Sequence, residues 1–396
     1  MASETTPDLI VTAQCLCKAN IFTTSIFRSN LPLKGTICHC NSCRHVTGAM
    51  YSSHVVWPGS PEEICKSKLE RYKFTQNVSL RFCGTCSSPM FWEEYYAEKP
   101  EILDVLTGVL NNVQVPDFIT FPYQILVGDT KDGGASHWLQ HVNKDGFLSQ
   151  RWKTRAGKSE QLDTSWPSTT SAPQDQDQAG TRRISIQCRC KGINFVLSPG
   201  NANFAGMEPD VLPFFVEPAT HKHLASFDAC NSCRSMFGVD IVNWTFALLR
   251  QLEFQESTGP AFPKSTSELK EAILSPDRDA RFGTLAMYKS SPDVQRYFCS
   301  RCSASAFYAV DDRPDLVDVA VGLLDSQDGA NAESFLTWNL GAKVGGEADV
   351  AGGWRQGFVE SIKDTAESWR VKRKYPKTWK RLSVERTKEE DKDEMP

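Results

Sequence analysis

The chain has 396 residues, 40% hydrophobic and 23% charged, with a net charge of -4 and 14 cysteines. That length leaves room for two domains with sizeable cores, and the acidic balance gives no global attraction to nucleic acid or an anionic membrane. No stretch has the roughly 20 apolar residues of a membrane span, and Met1 to Thr12 lacks the pattern of a signal peptide.

The expected location is therefore intracellular, cytoplasmic or nuclear, where thiols stay reduced. In chain order, Leu9-Ile10-Val11-Thr12 reads as a strand that runs into Cys15-x-Cys17. The next cluster is Cys38-x-Cys40-x-x-Cys43, followed by a strand at Ser53–Trp57 that stops at Pro58. Cys83-x-x-Cys86 comes next, and Ser88–Trp92 reads as the strand after it. From Ser165 to Thr181 the chain is rich in Ser, Thr, Pro, Gln and Asp, which reads as a flexible linker.

The pattern then repeats. Arg183–Ile186 is a strand leading to Cys188-x-Cys190, and Cys230-x-x-Cys233 is followed by a strand at Val239–Trp244. Ser267–Leu274 reads as a helix stopped by Pro276. Cys299-x-x-Cys302 precedes a strand at Ser305–Tyr308. Tyr72, Val78, Phe82 and Cys83 recur with the same spacing as Tyr288, Val294, Phe298 and Cys299. Asp104–Leu110 likewise matches Asp318–Leu324, so the two halves form an internal repeat. The second copy is longer, with insertions near 198–223 and 248–281. The expected organisation is a first zinc domain at 8–164, a linker at 165–183, a second zinc domain at 184–376 and a charged tail at 377–396. The tail reads as solvated, because its basic run is followed by an acidic one. The fold class is mainly β, in two tandem zinc-stapled domains.

Thirteen of the fourteen cysteines fall in these clusters, and Cys65 stands apart. Pairs one or two residues apart can present two thiolates to one ion, and four thiolates suit tetrahedral Zn2+. A disulfide framework is the competing reading, but it is typical of short secreted chains. Cys15, Cys17, Cys83 and Cys86 would make one closed structural metal site; Cys188, Cys190, Cys299 and Cys302 would make a second. Cys38, Cys40 and Cys43 supply three thiolates, which leaves a position open for chemistry unless His39, His54 or Cys65 closes it. In the second copy Asp228 stands where the first has Cys38, beside Cys230 and Cys233. That mixed set either binds zinc more weakly or is vestigial. Arg44 and Arg234 each follow the last cysteine of a middle cluster; each would pair with a substrate carboxylate, make a structural ion pair or stabilise the thiolate cluster.

The spacing C-x-C, C-x-C-x-x-C, C-x-x-C of the first copy resembles the glutathione-dependent formaldehyde-activating enzyme family, which includes centromere protein V. The resemblance implies an all-β fold of small zinc-bound sheets, the β-tent. It implies a structural zinc on Cys15, Cys17, Cys83 and Cys86, and a functional zinc on the catalytic set Cys38, Cys40 and Cys43. It further implies carbon–sulfur lyase chemistry that joins a small thiol such as glutathione to formaldehyde or a small aldehyde. The alternative it implies is a non-catalytic zinc scaffold for protein or nucleic acid. The acidic balance makes nucleic acid the less favoured partner.

Overall fold

The structure is a computed structural model in which residues 9–95, 102–143, 146–167, 183–256 and 258–393 are described. Most of the expected linker therefore lies outside the described residues. Among them, the architecture is mainly β, and the strand order tells how it arose. In the first repeat, neighbouring strands run Ile119–Ile125, Leu33–Cys38, Ser52–Val56, Ile102–Leu106, Pro89–Glu94, Val78–Phe82 and Glu70–Lys73. In the second they run Leu336–Trp338, His223–Asp228, Val242–Leu248, Leu316–Ala320, Ser305–Val310, Val294–Cys299 and Leu285–Ser291. The order is the same, and in both copies the first pair is parallel while the rest are antiparallel.

Buried strand stretches explain the sheets. Pro89–Glu94 and Leu316–Ala320 are buried nearly throughout, as strands covered on both faces must be. A small hairpin, Leu9–Gln14 with Ile21–Ile26, carries the first cysteine pair in its turn. Its counterpart pairs Ile184–Gln187 with Asn194–Leu197 and extends to Leu252–Phe254, a strand within the second insertion.

The two repeats meet face to face. Gly48 O accepts from Gly322 N–H at 2.9 Å, and Gly238 O accepts from Gly108 N–H at 3.1 Å, the same contact made twice with the roles exchanged. Gly48 and Gly238 end short helices in the left-handed region, with φ of 86° and 71°. A side chain on Gly48 would put Cβ 2.2 Å from Ser305 O, so only glycine lets the repeats approach this closely. One continuous apolar core spans both halves, from Val11 and Phe91 to Phe307 and Trp338.

A 19-residue helix, Trp354–Lys372, then crosses from the second repeat onto the first. Its buried residues Trp354, Phe358, Val359, Ile362 and Ala366 recur at helical spacing. Trp354 N–H donates to Val113 O at 3.0 Å, Phe358 meets Phe121 at 5.7 Å, and Trp369 stacks on His137 at 4.5 Å. Arg355, fully buried, donates from Nε to Asp240 Oδ1 at 2.7 Å and from Nη2 to Leu110 O at 3.0 Å. Thr107 Oγ1 donates to Asp240 Oδ2, so one ion pair joins three distant segments.

Two expectations change in detail. The strand expected at Val239–Trp244 begins at Val242 and runs to Leu248, because Gly238 to Ile241 form the tight exit from the preceding helix. The charged tail is helical over Trp379–Asp393. Two of its basic residues are engaged: Arg381 pairs with Glu367 at 2.6 Å and Lys377 with Glu385 at 2.7 Å. The helix at Ser267–Leu274 is found as Thr266–Leu274, with Ser265 Oγ accepting from Glu268 N–H at 3.2 Å as N-cap. Among the described residues, no helix is long and apolar enough to cross a membrane.

Candidate metal centres

Every cysteine of the expected outer sets sits in a turn that the backbone holds open. Cys15 and Cys17 lie in the first hairpin turn, which closes through Lys18 at φ 61°; Cys188 and Cys190 do the same with Lys191 at φ 59°. Cys83 and Cys86 lie between strands Val78–Phe82 and Pro89–Glu94, with Ser87 at φ 62°. Cys299, the last residue of the strand Val294–Cys299, and Cys302 make the equivalent turn, with Ser303 at φ 74°. Peptide N–H groups point at the sulfurs: Asn20 at Cys15 Sγ (3.3 Å), Cys17 at Cys86 Sγ (3.4 Å), Ile193 at Cys188 Sγ (3.2 Å) and Cys302 at Cys299 Sγ (3.3 Å).

The sulfurs converge. Cys15, Cys17, Cys83 and Cys86 place all their Sγ atoms within 4.8 Å of one another, and so do Cys188, Cys190, Cys299 and Cys302. The closest pairs are 3.4 to 3.6 Å apart. Four sulfurs around zinc at ~2.3 Å would be ~3.8 Å apart, whereas a disulfide needs ~2.05 Å. No cysteine forms a disulfide, so the donor set fits a tetrahedral thiophilic ion. The thiols also polarise one another. Hydrogen bonds from Cys15 and Cys86 hold Cys83 far below the ordinary thiol range, while Cys86 is driven far above it by Cys15 and Cys83. A dication is the counter-charge that lets all four ionise together.

The middle cluster is built on a strand-to-helix turn. Cys38 ends the strand Leu33–Cys38, Cys40 caps the helix Asn41–Thr47, and Cys43 lies in its first turn. Cys40 Sγ accepts from Cys43 N–H at 3.2 Å. All three sulfurs lie within 4.8 Å of one another. Hydrogen bonds from Cys38 and Cys43 pull the Cys40 thiol far down. The three candidate closing residues are occupied elsewhere. His39 is buried and bonded to Gln124 Oε1 at 2.9 Å, with its ring held neutral by burial. His54 pairs with Asp104 at 3.0 Å, and Cys65 sits on the separate helix Glu62–Lys66. Among the described residues, no fourth His, Cys or carboxylate completes the group.

Two neighbours of this cluster went unread in the sequence or were left open. Asp129 Oδ2 accepts from Asn41 N–H at 3.4 Å; burial and then the nearby Cys40 raise its carboxyl. It comes from a short turn at Val127–Thr130, far along the chain, with no local signature. Arg44 is 4% exposed, and its Nε and Nη1 meet no acceptor among the described residues. Arg234, its counterpart, spends Nε on Ala229 O at 2.9 Å and Nη2 on Asn231 Oδ1. The two arginines are thus equivalent in sequence and different in use.

The second middle cluster keeps the same frame. Asp228 ends the strand His223–Asp228, Cys230 caps the helix Asn231–Phe237, and Cys233 N–H donates to Cys230 Sγ at 3.4 Å. The carboxylate and both sulfurs gather within 4.8 Å. Asp349 Oδ2 accepts from Asn231 N–H at 2.7 Å, as Asp129 does in the first copy.

A mainly β protein with cysteine groups able to hold metal is what the fold and these sites define. Residues 10–122 match the family model of the glutathione-dependent formaldehyde-activating enzyme. That span holds all seven clustered cysteines of the first repeat. No curated protein and no solved structure matches the chain.

Proposed function

We propose that the first repeat is a zinc-dependent enzyme of the carbon–sulfur lyase type, acting on the adduct of glutathione or another small thiol with formaldehyde or a small aldehyde. The observation that carries this reading is the buried group Cys38, Cys40 and Cys43, three thiols with no fourth ligand at hand among the described residues. Zinc held there would supply Lewis acidity that lowers the pKa of a substrate thiol.

The chain's own residues account for the rest. Cys38, Cys40 and Cys43 hold the ion, and the strand-to-helix turn fixes their spacing. Asp129, which accepts from Asn41 N–H and has its carboxyl raised by burial and then by Cys40, would take the substrate thiol proton and return it to the aldehyde oxygen. In the forward direction one S–C bond forms, the C=O π bond opens, and the thiol proton ends on the new hydroxyl. The outer sets, Cys15/Cys17/Cys83/Cys86 and Cys188/Cys190/Cys299/Cys302, hold structural zinc.

A second reading, a non-catalytic zinc scaffold for a protein partner, draws support from the altered cluster at Asp228, Cys230 and Cys233. Adduct turnover separates the two. The enzyme reading expects turnover that falls in Cys40→Ser and in Asp129→Asn, the latter with its zinc retained. The scaffold reading expects none in the wild type.

A further inference from the structure

Two of the positions at which the second middle cluster differs from the first bring charge to it. Asp228 replaces Cys38, and Arg296 replaces Leu80. The second replacement is fixed by strand register: Leu80 pairs with Tyr72 and Trp92, and Arg296 pairs with Tyr288 and Tyr308. Leu80 is fully buried, so the first repeat presents an apolar residue here. Arg296 is buried too, at 5% exposure, and it carries a permanent positive charge into the same place.

That charge is aimed at the cluster. Arg296 Nη1 reaches Cys233 Sγ at 3.7 Å. Its Nε donates to Ser290 Oγ at 2.9 Å, and its guanidinium lies 4.9 Å from the centre of the Tyr308 ring. Held by a hydrogen bond, an aromatic face and a sulfur, the side chain cannot swing away to admit another cation. Asp228 stands on the other side of the pair, its Oδ1 accepting from Cys230 N–H at 2.8 Å. The charges balance without any ion: Asp228 lies opposite Arg296, and the nearby buried Asp318 is paired with Arg313 at 2.9 Å. A dication would bring two further positive charges against a fixed one, in a buried setting where such repulsion is poorly screened.

We infer that Asp228, Cys230, Cys233 and Arg296 form a metal-free cluster, in which the guanidinium supplies the counter-charge that a metal supplies to the thiolate groups. Cys230 and Cys233 are then an uncoordinated dithiol. The inference rests on the proposed function only in taking zinc as the ion of the other three groups.

The test combines zinc counting with thiol labelling of the folded full-length chain. Cys17, Cys190 and Cys230 are all partly exposed, so they are matched probes. The wild type is expected to hold three zinc ions, with Cys230 alkylated by iodoacetamide while Cys17 and Cys190 are protected until a chelator is added. Arg296→Leu, which restores the residue of the first repeat, is expected to gain close to one zinc and to protect Cys230. Arg296→Met serves the same purpose if the leucine variant does not fold, and the wild-type labelling needs no variant at all. Four zinc ions in the wild type, zinc-dependent protection of its Cys230, or folded variants with no gain would each overturn the inference. A chain that holds no zinc at all is a different result: it defeats the zinc reading of every cluster, and this inference with it.

Discussion

Ser87 and Ser303 hydrogen-bond each other in both directions. Ser87 Oγ donates to Ser303 O at 2.6 Å, and Ser303 Oγ donates to Ser87 O at 2.9 Å. Each serine follows the last cysteine of an outer set, each has positive φ, and both are fully buried. The two cysteine turns are thereby locked together, so whatever holds one turn in shape supports the other. Ser87→Gly keeps the backbone conformation and removes one hydroxyl, leaving Ser303 O short of a donor. It should cost about 1–3 kcal/mol and lower the midpoint of a single thermal transition. Two separate transitions in the wild type would contradict the coupling.

The outer cysteines should behave as parts of the fold. Cys83→Ser and Cys299→Ser should each lower folded yield sharply, because metal binding energy at such a site is folding energy. Through Ser87 and Ser303, loss of one outer set should also loosen the other. Zinc content and melting of both variants check this; native values in both would rule it out.

The buried ion pair between Arg355 and Asp240 should be the most sensitive contact outside the cysteines. Asp240 accepts from Arg355 and from Thr107, and all three side chains are buried. Asp240→Ala leaves a buried guanidinium unpaired, for which about 3–5 kcal/mol is the usual cost. Chemical denaturation of the variant against the wild type measures it, and a change under about 1 kcal/mol, a third of the low end of that range, would be out of line with a buried pair.

The buried histidines should weaken the fold in acid. Burial drives His137 down to about 3 and His45 and His223 down to about 4, so all are neutral when folded. Unfolded histidines titrate near 6.5. Between pH 6.5 and 4 the unfolded chain binds more protons, so stability falls as pH falls, by up to ~1.4 kcal/mol per unit for each such histidine. His223 contacts Gln251 and lies outside the cysteine clusters. His223→Gln should therefore flatten the pH dependence of the melting temperature over that window without changing zinc content. An unchanged slope would count against the assignment.

Much of this was legible in the sequence because cysteine spacing and the internal repeat report local geometry directly. Cys15 with Cys17 and Cys83 with Cys86 come together as their spacing predicts. The strand order, repeated in both halves, follows from Tyr72–Cys83 recurring as Tyr288–Cys299. What stayed hidden depends on contacts between distant segments. Nothing near Asp129 marks it as a neighbour of Cys40, since the two meet only through tertiary packing. The helix Trp354–Lys372 carries its apolar residues among many charges, and its partners Phe118, Phe121 and Trp138 lie in the other repeat. Arg296 could have been found: aligning Val78–Cys83 with Val294–Cys299 sets it opposite Leu80, a charge where the pattern asks for an apolar residue.

The central claim is that Cys38, Cys40 and Cys43 form the working metal site while the outer sets hold the fold. Zinc content and thiol–formaldehyde adduct turnover, measured together on the wild type and on Cys40→Ser, test it most directly. The account predicts that Cys40→Ser loses about one zinc ion and at least two orders of magnitude in turnover, about the scale of a lost catalytic group, while its melting stays near wild type. A Cys40→Ser chain that keeps its zinc and its turnover, or that unfolds as badly as Cys83→Ser, would contradict it.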